Sequence, residues 1–390
     1  MHPTPRSPID GGASWRGAAA LRSPDVRTLW WEQMELRNLR DSIRTRPSVY
    51  IGSTDVSGLH NVVYNAVTFA LDSTLAGLGD RVSIVIGADG WLEVSGTGCP
   101  GVRDALPGPF RLLAAAAAGW VAEPALQSDE YRLLQGPYRL ELPIVAALSR
   151  RLSLEMCDGA ARYRGEHRYG VPHGDLVVDA GDAAGFVIRC DPDPEVLPAR
   201  DYEFETLVDR FRELACLTRG ICLEARDERA GLRQSCGFAF GDGPAALLRY
   251  YNHPAWWALH DIVSLAGTYD GLEVSVALQY HAGEDWRIWA FSNTARTETA
   301  STPLDGFFRG LRAALGAAAS DLAPEALRRG LTAVVSVVAP APPFDFGTYS
   351  HFTDPRAQEA LARLLVGDFA AFLQANPETG RRIARQCRAA

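Results

Sequence analysis

The chain reads as an α+β protein of more than one domain, and two observations carry that reading. Its 390 residues, 47% of them hydrophobic, can bury more than one core at roughly 100–200 residues per domain. Segments with apolar residues three and four apart alternate with groups of short strands bounded by Gly, Asp and Pro. Residues 1–33, rich in Pro, Gly, Ser and Arg, predict a flexible N-terminal arm. Met34–Arg44 predicts a helix with Leu36, Leu39 and Ile43 on one face, ended by Pro47. Leu59, Val62, Val63, Ala66, Val67 and Ala70 have the spacing of a core helix. Arg81–Ile86 and Trp91–Val94 form a hairpin around Ala88–Gly90. Pro109–Trp120 predicts a helix, and Pro143–Arg151 another that feeds the strands Leu152–Cys157 and Ala161–Tyr169; Asp175–Asp179 and Gly185–Cys190 complete the group. A helix over Tyr202–Leu217 and a strand over Gly220–Arg226 follow, and Asp354–Ala375 is the last helix. Placing the boundary near Gly220 gives a 34–219 domain and a 220–390 domain.

Composition narrows the function. A net charge of −8 disfavours a main surface built to grip phosphate backbones. All 39 basic residues are Arg, so no reaction or contact can use a lysine amine of this chain. No run approaches the ~18 apolar residues of a membrane span, and the N-terminus lacks the order of a secretory signal, so a cytoplasmic protein is expected. The seven Cys contain no C-x-x-C pair and read as reduced thiols, with no metal site.

The stretch RTRPSVYIGSTDVSGLHNVVYNAVTFALDSTLA, Arg44–Ala76, resembles the first signature of the DNA gyrase B family. The resemblance continues through Ser95–Pro100, FETLVDRFRELACLTRG, the T-x-L-x-G-F run Thr302–Phe307 and RRGLTAVVSVV. It implies a Bergerat-type (GHKL) ATPase domain, a mixed sheet layered on helices, followed by a transducer domain like ribosomal protein S5 domain 2. The cleavage-assisting domain that follows in that family has no counterpart here and is expected to be absent.

The same resemblance places the family's chemistry on residues that cannot perform it. The water-activating Glu corresponds to Asn65, with Thr68 beside the magnesium-ligand position Phe69; an amide is too weak a base, and a phenyl ring offers no oxygen to a hard cation. The adenine-accepting Asp corresponds to Val94, ahead of the retained turn at Thr97. The adenine-side Thr corresponds to Phe186, and the cleft and transducer lysines to Trp120 and Tyr349. The glycine-rich lid reads Gly136, Pro137, Tyr138, Arg139, Leu140, Glu141, with a proline that removes one N–H donor and a carboxylate facing the phosphate position.

A pseudo-ATPase without nucleotide cofactor is therefore expected. The aromatic replacements either fill the emptied cleft or wall a pocket for an apolar or planar small molecule. The pocket reading takes Asn65, Thr68, Phe69, Val94, Thr97, Trp120, Phe186 and Tyr349 as lining. As an enzyme such a protein would be an acid–base isomerase or cyclase of small-molecule biosynthesis, with Glu141 or Tyr138 moving a proton and Arg139 holding an oxyanion. The alternatives are a non-catalytic protein that pairs with itself or with a gyrase subunit, modulating gyrase or protecting it from inhibitors, and a true ATP-dependent topoisomerase subunit. The cluster Tyr250, Tyr251, Trp256, Trp257, His253 and His260 reads as packing in preference to a ligand wall.

Overall fold

The computed structural model describes residues 39–76, 79–99, 102–103, 106–107, 140–253, 257–297, 302–316, 322–339 and 352–388. These fall into two compact units, one holding most residues up to Phe204 together with Glu224–Cys236, the other Glu205–Leu223 and the chain from Gly237.

In the first unit, α1 (Leu39–Thr45) ends before Pro47, which opens the short α2 (Pro47–Ile51), where its missing N–H is not needed. Gly52 closes α2 at φ 77°, a conformation that favours glycine. The long α3 (Val56–Ala76) follows. Its one apolar face, including Leu59, Val62, Val63, Ala66, Val67 and Ala70, is buried.

That face lies on an eight-stranded sheet in the order β10-β9-β1-β2-β8-β5-β6-β7. The strands are β1 (Arg81–Ile86), β2 (Leu92–Thr97), β5 (Ser149–Cys157), β6 (Ala161–Arg168), β7 (Val171–Ala180), β8 (Gly185–Pro192), β9 (Cys222–Asp227) and β10 (Gln234–Ala239); β3 (Val102–Arg103) and β4 (Leu106–Pro107) pair separately. Alternation sorts the residues by face. Ile84, Val94, Ile188 and Leu154 lie in one cross-strand row on the helix side, all buried. The opposite face carries Arg–carboxylate pairs, among them Arg189 with Glu93 and Arg151 with Glu166.

Several boundaries differ from the sequence reading. β2 runs three residues past Val94, because Gly96 and Thr97 stay in register with Phe186 and Gly185. The helix expected over Pro143–Arg151 is α4 (Glu141–Ala147). Its end is fixed by the Ser149 hydroxyl, which donates to the Val145 carbonyl, and Ser149 already begins β5. The strand expected at Asp175–Asp179 is the ten-residue β7, an edge strand whose Pro172 needs no N–H partner on its free side. The helix expected over Pro109–Trp120 lies outside the described residues.

In the second unit, α5 (Phe204–Leu217) and α6 (Pro244–Tyr251) accompany a five-stranded sheet, β11-β12-β15-β13-β14. Its strands are β11 (Val263–Tyr269), β12 (Leu272–Tyr280), β13 (Arg287–Ser292), β14 (Ala295–Thr297) and β15 (Leu331–Val338). β13 runs parallel to β15, and the remaining pairings of this sheet are antiparallel. α7 (Thr302–Leu315) crosses between them and packs on α8 (Pro355–Leu364). Gly306 and Gly310 let those helices meet closely: a Cβ at Gly306 would collide with the Gln358 carbonyl oxygen. The last helix expected from Asp354 is broken by a π turn at Leu365–Phe369, then continues as α9 (Ala370–Ala375) and α10 (Pro377–Arg388).

Arg44 ties α1 into the first unit. Its guanidinium donates to the Ala147 carbonyl (2.8 Å) and to the Asp193 carboxylate (2.6 Å), and the Asp193 side chain is almost wholly buried. Replacing Arg44 by Leu strands that carboxylate. We expect R44L to lose about 3 kcal/mol of stability in chemical denaturation, as for one partner removed from a buried pair.

Candidate functional site

The residues of the Arg44–Ala76 signature have architectural reasons to persist. Ser42 and Tyr50 join their hydroxyls at 2.7 Å. Gly58 admits the preceding turn, since a Cβ there would collide with the Ser53 carbonyl oxygen. The Asn61 amide donates to the Ile51 carbonyl. His60 is buried and its Nε2 accepts the Glu203 backbone N–H at 3.0 Å, so its ring is neutral at that nitrogen. Burial, and secondarily the Arg229 guanidinium, pull its pKa below the usual value, against the partial opposition of Glu203.

The positions expected to carry chemistry are packed. Asn65 turns its amide onto the Asn61 carbonyl one turn back, at 2.7 Å. Four residues on, Phe69 meets Phe186 of β8 edge to face, with ring centroids 6.2 Å apart. Phe69 and Phe186 are each 3% exposed, Thr68 3% and Val94 0%. Side chains this closed to solvent are core. Gly96 is part of the same packing: a Cβ there would collide with the Thr74 hydroxyl and lie 2.6 Å from the Phe186 ring. The glycine turn that resembles a nucleotide motif is thus required here by an aromatic ring.

Glu141 is the first residue of α4 and is buried. Thr97 is exposed at the end of β2, where its hydroxyl accepts the N–H groups of Asp80 and Arg81 (2.9 and 3.0 Å). Tyr138, Arg139, Trp120 and Tyr349 lie outside the described residues. The proton-transfer group expected of Glu141, Tyr138 and Arg139 is therefore represented by Glu141 alone.

An open cleft of about 340 Å³ does exist, on the face of the sheet away from α3. Thr97 and Phe186 border it, together with Arg81, Ser83, Ser95 and Arg162. Its cations are already engaged: Arg81 with Glu224 at 2.7 Å, and Arg162 with Asp182 at 2.5 Å and Glu155 at 3.3 Å. No local sequence pattern signals this cleft, since it depends on which strands become neighbours. Cys99 is also in the first unit; burial pushes its thiol up to about 12, far from a reactive thiolate.

In the aromatic cluster, Tyr251 stacks on Trp289 at 4.2 Å and its hydroxyl donates to Glu213. His260 accepts the Tyr280 N–H at 3.0 Å. Both are packing residues. Tyr250 is half exposed beneath the Arg212 guanidinium, 3.9 Å from its ring centroid, and Trp257 is 82% exposed. Trp256 lies outside the described residues.

Comparison with known proteins follows the same outline. The family model for DNA gyrase B matches residues 244–390. The DNA gyrase B protein of Staphylococcus epidermidis is 29% identical over 367 residues, covering 90% of this chain and 56% of the relative. That of Halalkalibacterium halodurans is 29% identical over 369 residues, with 90% and 57% covered. The B-subunit of DNA gyrase from Myxococcus xanthus superposes with a TM-score of 0.75 at 24% identity, over 89% of this chain and 99% of that one. The 43K ATPase domain of Thermus thermophilus gyrase B, solved with an aminocoumarin, superposes at 0.71 and 22% identity, over 91% and 95%. This chain is gyrase B-like. Its fold is the mixed α+β arrangement of gyrase B ATPase regions, and it spans a little over half the length of the curated relatives it matches. No helix among the described residues is long and apolar enough to cross a membrane.

A gyrase B-like fold implies magnesium and ATP, and the residues present do not fit them. The position of the metal ligand is a phenyl ring locked against Phe186. The position of the adenine acceptor is a fully buried valine. Among the described residues no group of three His, Cys, Asp or Glu could hold a metal ion.

Two outcomes follow from this packing. F69A should cost about 3–5 kcal/mol in denaturant unfolding, the range for a buried phenylalanine cut to alanine, and should not create magnesium-dependent ATP turnover. Because the His60 pKa is lowered in the folded state, its contribution to stability is present above the unfolded value near 6.5 and is lost as pH falls through the folded value. H60Q, which cannot take up a proton, should therefore flatten the fall in thermal midpoint between pH 7 and pH 5.

Proposed function

We propose that this gyrase B-like chain is a pseudo-ATPase that acts as a non-catalytic protein partner, associating with itself or with gyrase subunits. The observation that carries this reading is the Phe69–Phe186 contact. One ring from α3 and one from β8 stand where the resemblance puts magnesium and the adenine side of the nucleotide. Val94 and Gly96 lie on the same face of β2, Gly96 directly opposite Phe186, and no lysine is available in the chain to meet a phosphate. The side chains replaced are hydrogen-bonding or metal-ligating groups, and a hydrogen bond of that kind is worth roughly 0.5–3 kcal/mol, the upper part of the range applying to charged partners. What persists is the folding frame, and with it a shape that gyrase-type proteins can recognise.

A second reading rests on a separate observation, the 340 Å³ cleft on the outer sheet face. Its hydroxyls and neutralised ion pairs suit an uncharged, hydrogen-bonding small molecule. Binding there would preserve the expectation of a small-molecule ligand with Thr97 and Phe186 at the site, while moving it off Asn65, Thr68, Phe69 and Val94.

Thermal unfolding with a nonhydrolysable ATP analogue and magnesium should show no stabilisation, and phosphate release from ATP should stay at the background rate. A magnesium-dependent rise in midpoint would end the pseudo-ATPase reading. Added to gyrase, the chain should co-purify with its subunits and alter the rate of supercoiling; an unchanged rate with no association would remove the partner reading.

A further inference from the structure

Among the described residues β7 is an outer edge of the eight-stranded sheet, and its two halves are built differently. Near the Tyr169–Gly170 turn, Pro172 presents no N–H and the pairing with β6 is interrupted between Glu166–His173 and Arg164–Val177. Prolines and bulges are the usual guards of a sheet edge. The second half, from Val177 to Ala180, pairs with β6 without a break and contains no proline, and Val177 and Val178 are 46% and 55% exposed.

The register fixes which main-chain groups face outward. The Gly181 N–H donates to the Ala160 carbonyl, and the pairs Ala161–Ala180, Arg162–Asp179, Tyr163–Val178 and Arg164–Val177 follow. Antiparallel pairs alternate between bonded and non-bonded, so Asp179 and Val177 bond to β6. Val178 and Ala180, with Leu176 on the same alternation, direct their N–H and C=O groups to the free edge.

Side chains lead to the same place. Phe186, Met156, Tyr163 and Val178 are directly opposed in successive strands and therefore share one face. The first three are buried. Val178 continues the core row to the edge, where it stops in solvent.

We propose that the Leu176–Ala180 edge of β7 is a self-association surface whose occupant is β7 of a second copy of this chain. An isologous antiparallel pairing must place each residue opposite one of the same parity. Centred on Val178 it sets Val178 against Val178 of the second copy and Leu176 against Ala180, each pair exchanging two main-chain bonds. Asp179 then faces Val177 and Asp175 faces Gly181, so no carboxylate opposes another, and Asp179 is already held by Arg164. Centring on Val177 would oppose Asp175 and Asp179 and offer inward-facing groups. Centring on Leu176 would require a bond from Pro172. The favoured register extends the row Phe186–Met156–Tyr163–Val178 into its counterpart and joins two sheets edge to edge.

Sedimentation velocity of the full chain over a concentration series tests this. The wild type should form a dimer, V178K and V178P should each weaken it by about tenfold or more, and both should keep the wild-type circular dichroism spectrum. V178C, mildly oxidised with copper phenanthroline, should give a disulfide-linked dimer, because directly opposed strand residues have Cα atoms about 5.5 Å apart. A chain that is monomeric throughout, or a dimer that survives both substitutions and leaves V178C unlinked, overturns the proposal.

Discussion

The first unit depends on how α3 sits on its sheet, and that seating turns on one aromatic contact. Phe69 descends from the helix and Phe186 rises from β8, and the two meet edge to face. Everything within reach conforms to them: Gly96 has no room for a methyl group, and Thr74 and Gly79 press against β2 from the end of the helix. A buried aromatic pair of this kind contributes about 0.5–1.5 kcal/mol beyond its area. Its larger effect is volumetric, since interiors tolerate no cavity of the size of a nucleotide base.

This explains why ancestry and activity separate so cleanly along the chain. Gly52, Gly58, Leu59 and His60 each meet a local requirement: a left-handed cap, a close backbone approach, a core contact and an acceptor for the Glu203 N–H. Those requirements hold whether or not a nucleotide binds. Asn65, Phe69 and Val94 stand where the resemblance puts chemistry, and of these Phe69 and Val94 are packed into the core. A signature can thus remain readable as fold where its chemical positions carry other residues.

Much of the fold was legible in the sequence, and the failures have physical causes. The α+β class, the core face of α3 and the β1–β2 hairpin could be read because periodicity reports burial directly. The extents of β2 and β7 could not, because Gly96 and Pro172 look like breakers until their surroundings are known, a ring and a sheet edge; α4 stops short of the expected Arg151 because nothing marks Ser149 as its end until its hydroxyl meets the Val145 carbonyl. Asn65, Thr68, Phe69, Val94, Thr97 and Phe186 were singled out by their places in the signatures. Which of them face a cavity could not be read, because it depends on the sheet face each one occupies. The outer cleft is lined by residues from five strands and one loop, and no local pattern joins them.

A cleft that takes no nucleotide, as proposed, would also change what can drive assembly. A ligand shifts a conformational equilibrium only by the difference in its affinity for the two states. If Phe69 and Phe186 exclude ATP, no such difference is available, and association cannot be switched by binding and hydrolysis. Contacts between copies would then have to be constitutive and written into exposed surface. The second half of β7 has that character: unguarded main-chain groups, a core row that ends in Val178, and carboxylates spaced to avoid one another across a two-fold axis. A sheet edge left open in this way is a liability for a monomer, and pairing removes the liability without any ligand.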